Sequence, residues 1–250
     1  MIKEDRFHLI LDSIEKKSIV EVSDLSKALK VTETTIRRDL SELEERGLLM
    51  RIHGGAKKKT VLTYTELTNS QKQTINVEKK KEIAKKCGSL IKDNDIIFIS
   101  SGTTNDFMFE YVNANHVNVI TNSIHIFNRI KDRSNFDVVL SGGRYRQRTG
   151  TFVGYFANQL LNEIKVTKAF VGTNGISDLN LTTANEEEGN GLRVILDHAH
   201  ERYVLADSTK FNVQAFFSFY NVENINAIIT DSEINHEVED YYKRFTRIIK

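Results

Sequence analysis

The chain has 250 residues, which is enough for two domains that each bury a core of their own. Its 35 Lys and Arg residues oppose 34 Asp and Glu residues, so there is no overall charge bias, and binding to nucleic acid requires a local basic patch. The single cysteine, Cys87, excludes an intramolecular disulfide and any metal site built from several cysteines, which indicates a reducing compartment.

The amino end carries charges where a signal peptide needs an apolar core, and no run approaches the ~20 apolar residues of a membrane span, so we expect a cytoplasmic protein. Three short helices are predicted there. Apolar residues at helical spacing favour a first helix over residues 5–17. Ser23 is suited to cap a second helix that ends at Leu29, and Thr32 to cap a third helix that Gly47 closes.

Two short strand-like pieces around a Gly-Gly turn follow in LLMRIHGGAKKK, and they predict a small hairpin. The next segment is rich in Thr, Lys and Gln without a sustained period, which is typical of a linker. We therefore predict a first domain over residues 1–57, a linker over residues 58–74 and a second domain over residues 75–250.

The second domain begins with a helix that ends near Ile91 and continues with apolar runs bounded by turn residues. Helical stretches separate most of these runs, which predicts an α/β fold with a largely parallel sheet. Most of the runs end in polar residues, and open α/β sheets bind ligands at the carboxyl ends of their strands. The runs are DIIFIS, VNVITN, DVVLSGG, KAFVGTNG, RYVLADS and NAIITD.

The third predicted helix has one polar face. Steps of 100° from Ile36 place Leu40 and Leu43 on the buried side and Thr34, Arg38 and Ser41 opposite, flanked by Thr35 and Arg37. Arginine forks and threonine side chains suit the major groove of DNA, although a solvated helix face has the same composition. The basic hairpin decides for a winged helix-turn-helix. The predicted DNA-binding residues are Thr32, Thr34, Thr35, Arg37, Arg38, Ser41, Arg51, His53 and Lys57.

The segment VTETTIRRDLSELEERGLLMRIHGGA resembles the helix-turn-helix signature of DeoR-family transcriptional regulators, and the resemblance spans residues 5–56. SSGTT, ITNS, SGG and ADSTKF continue it through the second domain in the family's order. The resemblance implies a winged helix-turn-helix repressor joined to an α/β sugar-phosphate sensor, with a fold similar to that of ribose-5-phosphate isomerase and CoA-transferases.

Several polar positions of the second domain form a candidate ligand site. Glycine flanked by hydroxyls in SSGTT offers free backbone N–H groups to a phosphate, and a helix cap is the alternative role of this loop and of ITNS. The glycines of SGGRYRQRTG allow close backbone approach, and one of its alternating arginines pairs with phosphate unless the loop is solvated. The predicted ligand-binding residues are Ser101, Gly102, Thr103, Thr104, Thr121, Asn122, Ser123, Gly142, Gly143, Arg146, Glu187, Asp207 and Lys210.

In this set, Lys210 is expected to pair with a phosphate and Asp207 to accept sugar hydroxyls, whereas Glu187 either joins them or only stabilises a helix start. The alternation leaves open which of Arg144, Arg146 and Arg148 faces the ligand.

GGRYRQRTGTFVG, TTANEEEGN and ADSTKFNVQAFFSFYNV resemble the branch of the family that contains the lactose phosphotransferase system repressors of Gram-positive bacteria. For that branch the implied effector is tagatose 6-phosphate. Two positions differ from many sensors of the family: Leu192 replaces a lysine, and Ser100 replaces an aspartate. The first difference fits the lactose branch.

The expected protein is a repressor of a sugar-catabolism operon, and binding of a phosphorylated sugar releases it from its operator DNA. No cofactor and no metal ion are expected. His198 and His200 lie on different faces of a predicted helix and are poorly placed to share a metal ion. Operator binding favours a homodimer or homotetramer. The alternative is a sugar-phosphate isomerase or CoA-transferase-like enzyme with a regulatory amino-terminal module, in which Asp207 or Glu187 serves as the base.

Overall fold

The computed structural model describes residues 1–59, 61–62 and 66–250, so residues 60 and 63–65 of the predicted linker lie outside the described residues. The chain forms two units. Met1–Val61 and Ile234–Arg244 make up the first, and Leu62–Glu233 and Phe245–Lys250 make up the second.

The helices and strands are numbered in chain order. The α-helices are α1 (Lys3–Lys17), α2 (Val22–Leu29), α3 (Glu33–Glu45), α4 (Asn69–Gln73), α5 (Val77–Leu90), α6 (Thr103–Met108), α7 (Ile124–Ile130), α8 (Tyr155–Glu163), α9 (Glu186–Asp197) and α10 (His236–Tyr242). The strands are β1 (Ile19–Glu21), β2 (Leu49–Ile52), β3 (Gly55–Lys58), β4 (Val61–Leu62), β5 (Ile96–Ile99), β6 (Val117–Thr121), β7 (Phe136–Leu140), β8 (Arg144–Arg146), β9 (Thr151–Val153), β10 (Val166–Gly172), β11 (Gly175–Ser177), β12 (Asn180–Thr183), β13 (Ala199–Leu205), β14 (Val213–Gln214), β15 (Phe217–Asn221), β16 (Ala227–Ile229) and β17 (Arg247–Ile249).

Helix α3 of the first unit forms as its local signals predict. Thr32 Oγ1 accepts a hydrogen bond from the N–H of Thr35 at 3.3 Å and caps the helix. Gly47 follows the helix with φ +70°, a left-handed conformation that glycine adopts without strain. The predicted buried face is confirmed, since Ile36, Leu40 and Leu43 are fully buried.

Helix α2 begins two residues earlier than predicted, with Glu21 in place of Ser23 at the cap position. The N–H of Val22 donates to the carbonyl of Gly54 at 2.8 Å, so the helix starts directly after β1, and Ser23 does not cap it. Strand β1 was not predicted, because its pairing with β3 joins distant parts of the sequence. The predicted hairpin is confirmed as β2 and β3, which with β1 form an antiparallel sheet of order β1-β3-β2.

The second unit is built on a seven-stranded parallel sheet of order β17-β16-β13-β10-β5-β6-β7. Six of these strands coincide with the predicted runs, which confirms the α/β class, whereas β17 was missed. Strands β5, β10 and β13 are neighbours, so the polar residues that follow them meet at one edge.

Additional elements border that edge. Helix α4 lies inside the segment that was predicted to be a linker, and its cap is Thr68, which exchanges hydrogen bonds with Gln71 in a capping box. The hairpin β8–β9 and the antiparallel sheet β11-β12-β15 were not predicted.

Candidate functional site

Helix α3 presents its polar face to solvent. Thr34, Arg37 and Arg38 are exposed, whereas Thr35 and Ser41 are partly buried. Arg37 forms an ion pair with Glu33 one turn earlier, at 2.9 Å. Arg38 has neither a hydrogen bond nor an ion pair with any residue in the described ranges. Its guanidinium is therefore available to a base edge or a phosphate.

The hairpin extends this surface. Arg51 is exposed, its guanidinium donates to Ser41 Oγ at 3.3 Å and its N–H donates to Glu44 Oε1 at 2.9 Å, so the hairpin is tied to α3. His53 is exposed in the turn between the two strands.

Lys57 departs from the prediction. Its side chain is fully buried, because β3 is the central strand and alternate residues of a strand point to opposite faces. It therefore does not reach the solvent-exposed surface of the hairpin. The exposed Lys59 and the half-buried Lys58, whose ammonium lies 2.6 Å from Glu15, carry the positive charge of this segment instead.

A buried ion pair supports α3 from behind. Arg6 Nε donates to Asp39 Oδ2 at 2.7 Å and Nη2 donates to Oδ1 at 3.0 Å, which joins α1 to α3 by a two-point contact. Hydrogen bonding to Asp39 raises the pKa of Arg6. The sequence reading assigned no role to Asp39, although the carboxylate interrupts the buried face at position 39.

In the second unit, a cavity of about 290 Å³ lies at the carboxyl ends of β5, β10 and β13. Six of the predicted ligand-binding residues line it: Ser101, Gly102, Thr103, Thr104, Asp207 and Lys210. Polar side chains that were not predicted also line it, namely Asn69, Lys72, Asn76, Lys80, Asn105, Thr149, Thr151, Thr173, Asn174, Thr183, Glu188 and Thr209.

The SSGTT loop runs from β5 into α6 along the cavity. The N–H of Ser101 donates to Asn122 Oδ1 at 3.0 Å, and the Ser101 hydroxyl donates to the carbonyl of Thr149 at 2.9 Å. These bonds fix the loop and orient the start of α6, whose backbone N–H groups attract anions.

Three lysines give the cavity its positive charge. Burial lowers the pKa of Lys72 and of Lys80, and Lys210 lowers both further because like charges repel. The Lys80 ammonium donates to the carbonyl of Lys72. An anion in the cavity would relieve this repulsion, so the three cations favour a phosphate or a carboxylate.

Asp207 is almost fully buried and already has several partners. It accepts hydrogen bonds from Asn76 Nδ2 at 3.3 Å and from the N–H of Thr209 at 3.0 Å, and also from the Thr209 hydroxyl. The carboxylate therefore fixes the loop that carries Lys210 and keeps one edge toward the cavity.

Glu188 connects the cavity to a charged network. It accepts hydrogen bonds from the Thr149 hydroxyl and from Arg146 Nη1, the latter at 3.1 Å, and the same guanidinium binds both carboxylate oxygens of Glu66. Burial first, and then the charge of Glu66, raise the pKa of Glu188. Arg146 thus faces Glu66 and Glu188, and it is not among the residues that line the cavity.

Some polar atoms of the cavity wall have no partner within the described part of the chain. They are Asn69 Nδ2, Asn105 Oδ1 and Thr151 Oγ1. A buried polar atom without a hydrogen bond is costly, so these three suit a ligand rich in hydroxyl groups.

The remaining predicted ligand residues lie outside the cavity lining. Thr121 donates to the carbonyl of Ile99 at 2.7 Å, Asn122 holds Ser101, and Ser123 caps α7 by accepting the N–H of Ile126 at 3.3 Å. Thr121 is the last residue of β6, and Asn122 and Ser123 follow it, whereas the cavity lies at the ends of β13, β10 and β5.

Two further predictions concern the β7–β8 turn and α9. Gly142 and Gly143 form a turn with φ +65° and +108°, and Glu187 is paired with Arg144. Neither glycine nor Glu187 belongs to the cavity lining.

The missed lysines had one signal in the sequence. Lys72 lies in the predicted linker, and Lys80 lies in the basic stretch VEKKKEIAKK of residues 77–86, which is typical of a solvated helix face, yet Lys80 is on the same side of α5 as the buried Ile83, Ala84 and Cys87. A lysine within an apolar stripe indicates a buried cation.

No group of three or more His, Cys, Asp or Glu side chains that could hold a metal ion occurs among the residues the structure describes. Within the same ranges, no helix has the length and apolar character that crossing a membrane requires.

Family models match both units. The DeoR-like helix-turn-helix domain matches residues 6–60, and the DeoR C-terminal sensor domain matches residues 75–232. The predicted resemblance and the predicted fold class, a winged helix-turn-helix followed by an α/β sensor domain, are confirmed.

Curated relatives are similar over nearly the whole chain. A lactose phosphotransferase system repressor of Staphylococcus epidermidis is 37% identical over 246 residues and covers 96% of this chain and 98% of that protein. A protein of the same name from Streptococcus mutans is 35% identical over 251 residues and covers 100% of both. One from Staphylococcus aureus is 34% identical over 241 residues.

Solved structures are similar over part of the chain. Ribose 5-phosphate isomerase A from Neisseria gonorrhoeae is 16% identical, with 53% of this chain and 52% of that chain covered and a TM-score of 0.39. For eIF2B beta from Chaetomium thermophilum the identity is 10%, the coverage 68% and 54%, and the TM-score 0.44.

Proposed function

The chain belongs to the DeoR family of transcriptional regulators, and from this premise we propose that it represses a lactose or galactose catabolic operon of the tagatose 6-phosphate pathway. Helix α3 and the hairpin β2–β3 bind operator DNA, and a phosphorylated sugar in the cavity releases the protein from it. The relatives' shared name supports the choice of operon.

One observation carries the proposal: the chain that presents the unpaired Arg38 on a helix-turn-helix also contains a cavity with three lysines and unpartnered polar atoms. A volume of about 290 Å³ is at the low end of ligand sites, which span ~300–1,000 Å³, and suits a small sugar phosphate.

The charges suggest how the effector lies. Its phosphate faces Lys72, Lys80, Lys210 and the SSGTT loop, where cations and backbone N–H groups converge. Its hydroxyl groups face Glu188 and the other polar side chains of the opposite wall. Tagatose 6-phosphate satisfies both requirements.

The effector acts only through a difference in affinity between two states of the protein. We propose that Arg146 conveys this difference, because it binds Glu188 on the cavity wall and Glu66 at the start of the sensor unit. A ligand that contacts Glu188 competes with Arg146 and loosens its hold on Glu66.

No catalytic step is included in the proposal. Of the two candidate bases, Glu187 is paired with Arg144 outside the cavity lining, and Asp207 holds the loop of Lys210 through hydrogen bonds that its Oδ1 accepts from Asn76 and Thr209. The curated relatives that match nearly the whole chain are named as repressors, which supports a binding role. Turnover of pentose or hexose phosphates by the purified protein, faster than trace contamination allows, would reverse this assignment.

The proposal includes a cytoplasmic location, where operator DNA lies, and at least a homodimer, because one small helix-turn-helix buries little DNA surface.

A screen of melting temperatures with phosphorylated sugars tests the sensor assignment. Tagatose 6-phosphate, fructose 1-phosphate and fructose 6-phosphate are the first compounds, and a binding effector raises the melting temperature. If no phosphorylated sugar raises it, the sensor assignment fails.

A further inference from the structure

Helix α10 belongs to the first unit, although in the sequence it lies between two strands of the sensor sheet. Residues 234–244 are part of the first unit, whereas β16 before them and β17 after them are neighbouring strands of the second unit. The chain therefore passes from the second unit into the first between Glu233 and Ile234, and it returns between Arg244 and Phe245. A displacement of the residues before Ile234 is passed to α10 by the backbone itself.

The residues just before this passage are bound to helix α5. We call Asp231, Ser232 and Glu233 the crossing segment. Glu82 Oε2 accepts hydrogen bonds from the N–H and from the hydroxyl of Ser232, both at 3.1 Å. The Lys79 ammonium lies 3.0 Å from Glu233 Oε2 and 3.8 Å from Asp231 Oδ1. Helix α5 thus holds all three residues of the segment.

The crossing segment also holds the loop that carries Lys210. The N–H of Ser208 donates to Oδ2 of the fully buried Asp231 at 2.6 Å, and the Lys79 ammonium donates to the Ser208 hydroxyl at 2.7 Å. Lys210 and Lys80, which follows Lys79 on α5, both line the cavity. Two of the cations assigned to the ligand phosphate therefore lie on elements that are bonded directly to the crossing segment.

At its other end, the passage leads into contacts inside the first unit. Asn235 caps α10, and its Nδ2 donates to the carbonyl of Lys16 at the end of α1, at 3.3 Å. Glu237, on the first turn of α10, lies 3.4 Å from the ammonium of Lys17. Helix α10 is therefore fastened to the end of α1.

Helix α1 and strand β1 in turn support the surface assigned to DNA. Arg244 donates to Glu21, the last residue of β1, at 3.4 Å, and β1 pairs with β3 of the hairpin. Helix α1 holds α3 through the buried pair of Arg6 and Asp39. Both elements that α10 contacts are thus connected to the hairpin or to α3.

We infer that the crossing segment and α10 convey sugar binding to the first unit. The inference rests on the proposed function and names the residues that regulate it. A phosphate that pairs with Lys80 and Lys210 shifts α5 and the Ser208 loop, and the crossing segment moves with them because both are bonded to it. The free and the sugar-bound states then differ in how α10 is held against α1 and β1, which supplies the difference in operator affinity that release requires.

The operator affinity of the full-length protein, measured by fluorescence anisotropy with and without tagatose 6-phosphate, tests the inference. In the wild type, the sugar is expected to raise the dissociation constant for operator by about 5- to 150-fold, which we call the coupling factor. Lys79→Met combined with Glu82→Ala is expected to reduce the coupling factor by about fivefold or more. The affinity for sugar alone and for operator alone should stay near wild type, since neither residue lines the cavity or belongs to the surface assigned to DNA.

Two control variants separate this role from a general effect on folding. Lys81→Met removes another lysine of α5, one that is paired with Glu78 on the same helix, and it should keep the coupling factor. Glu82→Gln keeps an oxygen that can accept from Ser232, so this single variant should retain most of the coupling. Circular dichroism confirms that each variant is folded.

Hydrogen exchange of residues 234–244 distinguishes the inference from the proposed function. Tagatose 6-phosphate is expected to change the exchange rates of α10 in the wild type and to leave them unchanged in the double variant. A sugar that raises the melting temperature without changing α10 exchange, or a double variant with the wild-type coupling factor, would overturn the inference and leave the sensor assignment intact. If α10 exchange responds to the sugar but the operator is not released, the inference is supported and only the proposed repression fails.

Discussion

Replacing Lys80 by Met is the most direct test of the cavity. Lys80 is 5% exposed, lines the cavity and has a pKa that burial lowers. Methionine has similar length without the charge. A hydrogen bond to a charged group contributes about 1.5–3 kcal/mol, so the variant should bind a phosphorylated sugar ~10- to 150-fold more weakly.

The melting temperature reports this loss. At a ligand concentration 100 times the dissociation constant, binding stabilises the wild type by about 2.7 kcal/mol, which is roughly 5–11 °C for a chain of this size. The variant should retain only ~10–50% of that shift at the same concentration. Tagatose 6-phosphate is the probe, and its dissociation constant is first measured by calorimetry.

The free variant should remain stable. Its lost hydrogen bond to the Lys72 carbonyl costs about 1 kcal/mol, and removal of a buried cation offsets this. Because the pKa of Lys80 is lowered in the folded protein, the charged lysine destabilises the wild type at neutral pH, and the variant gains by losing that charge. This gain in the free energy of unfolding disappears above pH 10.5, where Lys80 is neutral in both the folded and the unfolded wild type.

Lys85→Met is the matched control, because Lys85 is an exposed lysine of the same helix and lies outside the cavity lining. It should keep the full shift. A wild-type shift in the Lys80→Met protein would refute the placement of the phosphate beside Lys80.

Three further predictions test other parts of the structure. Arg38→Ala should weaken operator binding by about 1–3 kcal/mol in fluorescence anisotropy without changing the sugar response, and unchanged DNA affinity would count against the helix-turn-helix assignment. Burial raises the pKa of Asp106 from 3.8 to about 6, so the folded wild type loses stability as the pH rises through that window. In urea unfolding, Asp106→Asn should therefore stabilise the protein above pH 6 by on the order of 2–3 kcal/mol and have no effect at pH 3. Asp39→Ala should destabilise the first unit by about 3–5 kcal/mol by leaving Arg6 unpaired, and the double replacement Arg6→Met with Asp39→Leu should recover most of this in denaturation followed by circular dichroism.

The parts of the fold that the sequence predicts are those with local signals. Helix α3 forms as its local signals predict, because these signals all lie in or beside the helix. They are the cap at Thr32, the buried stripe of Ile36, Leu40 and Leu43, and the glycine at position 47. The start of α2 depends on Gly54, more than 30 positions away, so neighbouring residues do not reveal it.

The same distinction separates the predicted and the missed cavity residues. The SSGTT loop and the Asp207–Lys210 segment directly follow strands, and strand order alone brings them together. Lys72 and Lys80 reach the cavity because α4 and α5 pack over the sheet edge, which no local pattern shows. Arg146 was predicted to bind the ligand, but its guanidinium is paired with Glu66 and it does not line the cavity. Glu66 is 80 positions earlier in the chain, so no local pattern reveals this pair.

Recognition of a ligand depends on how the carboxylates of the cavity are held. The cavity combines cations that attract an anion with acceptors that are fixed in place, since Asn76 and Thr209 donate to Asp207, and Thr149 and Arg146 donate to Glu188. These bonds engage Asp207 Oδ1 and Glu188 Oε1, so the second oxygen of each carboxylate can accept a hydrogen bond from a sugar hydroxyl. Burial raises the pKa of Glu188, and Arg146 connects this side chain to Glu66. The network therefore suits the binding of a sugar phosphate and the transmission of that event to Glu66.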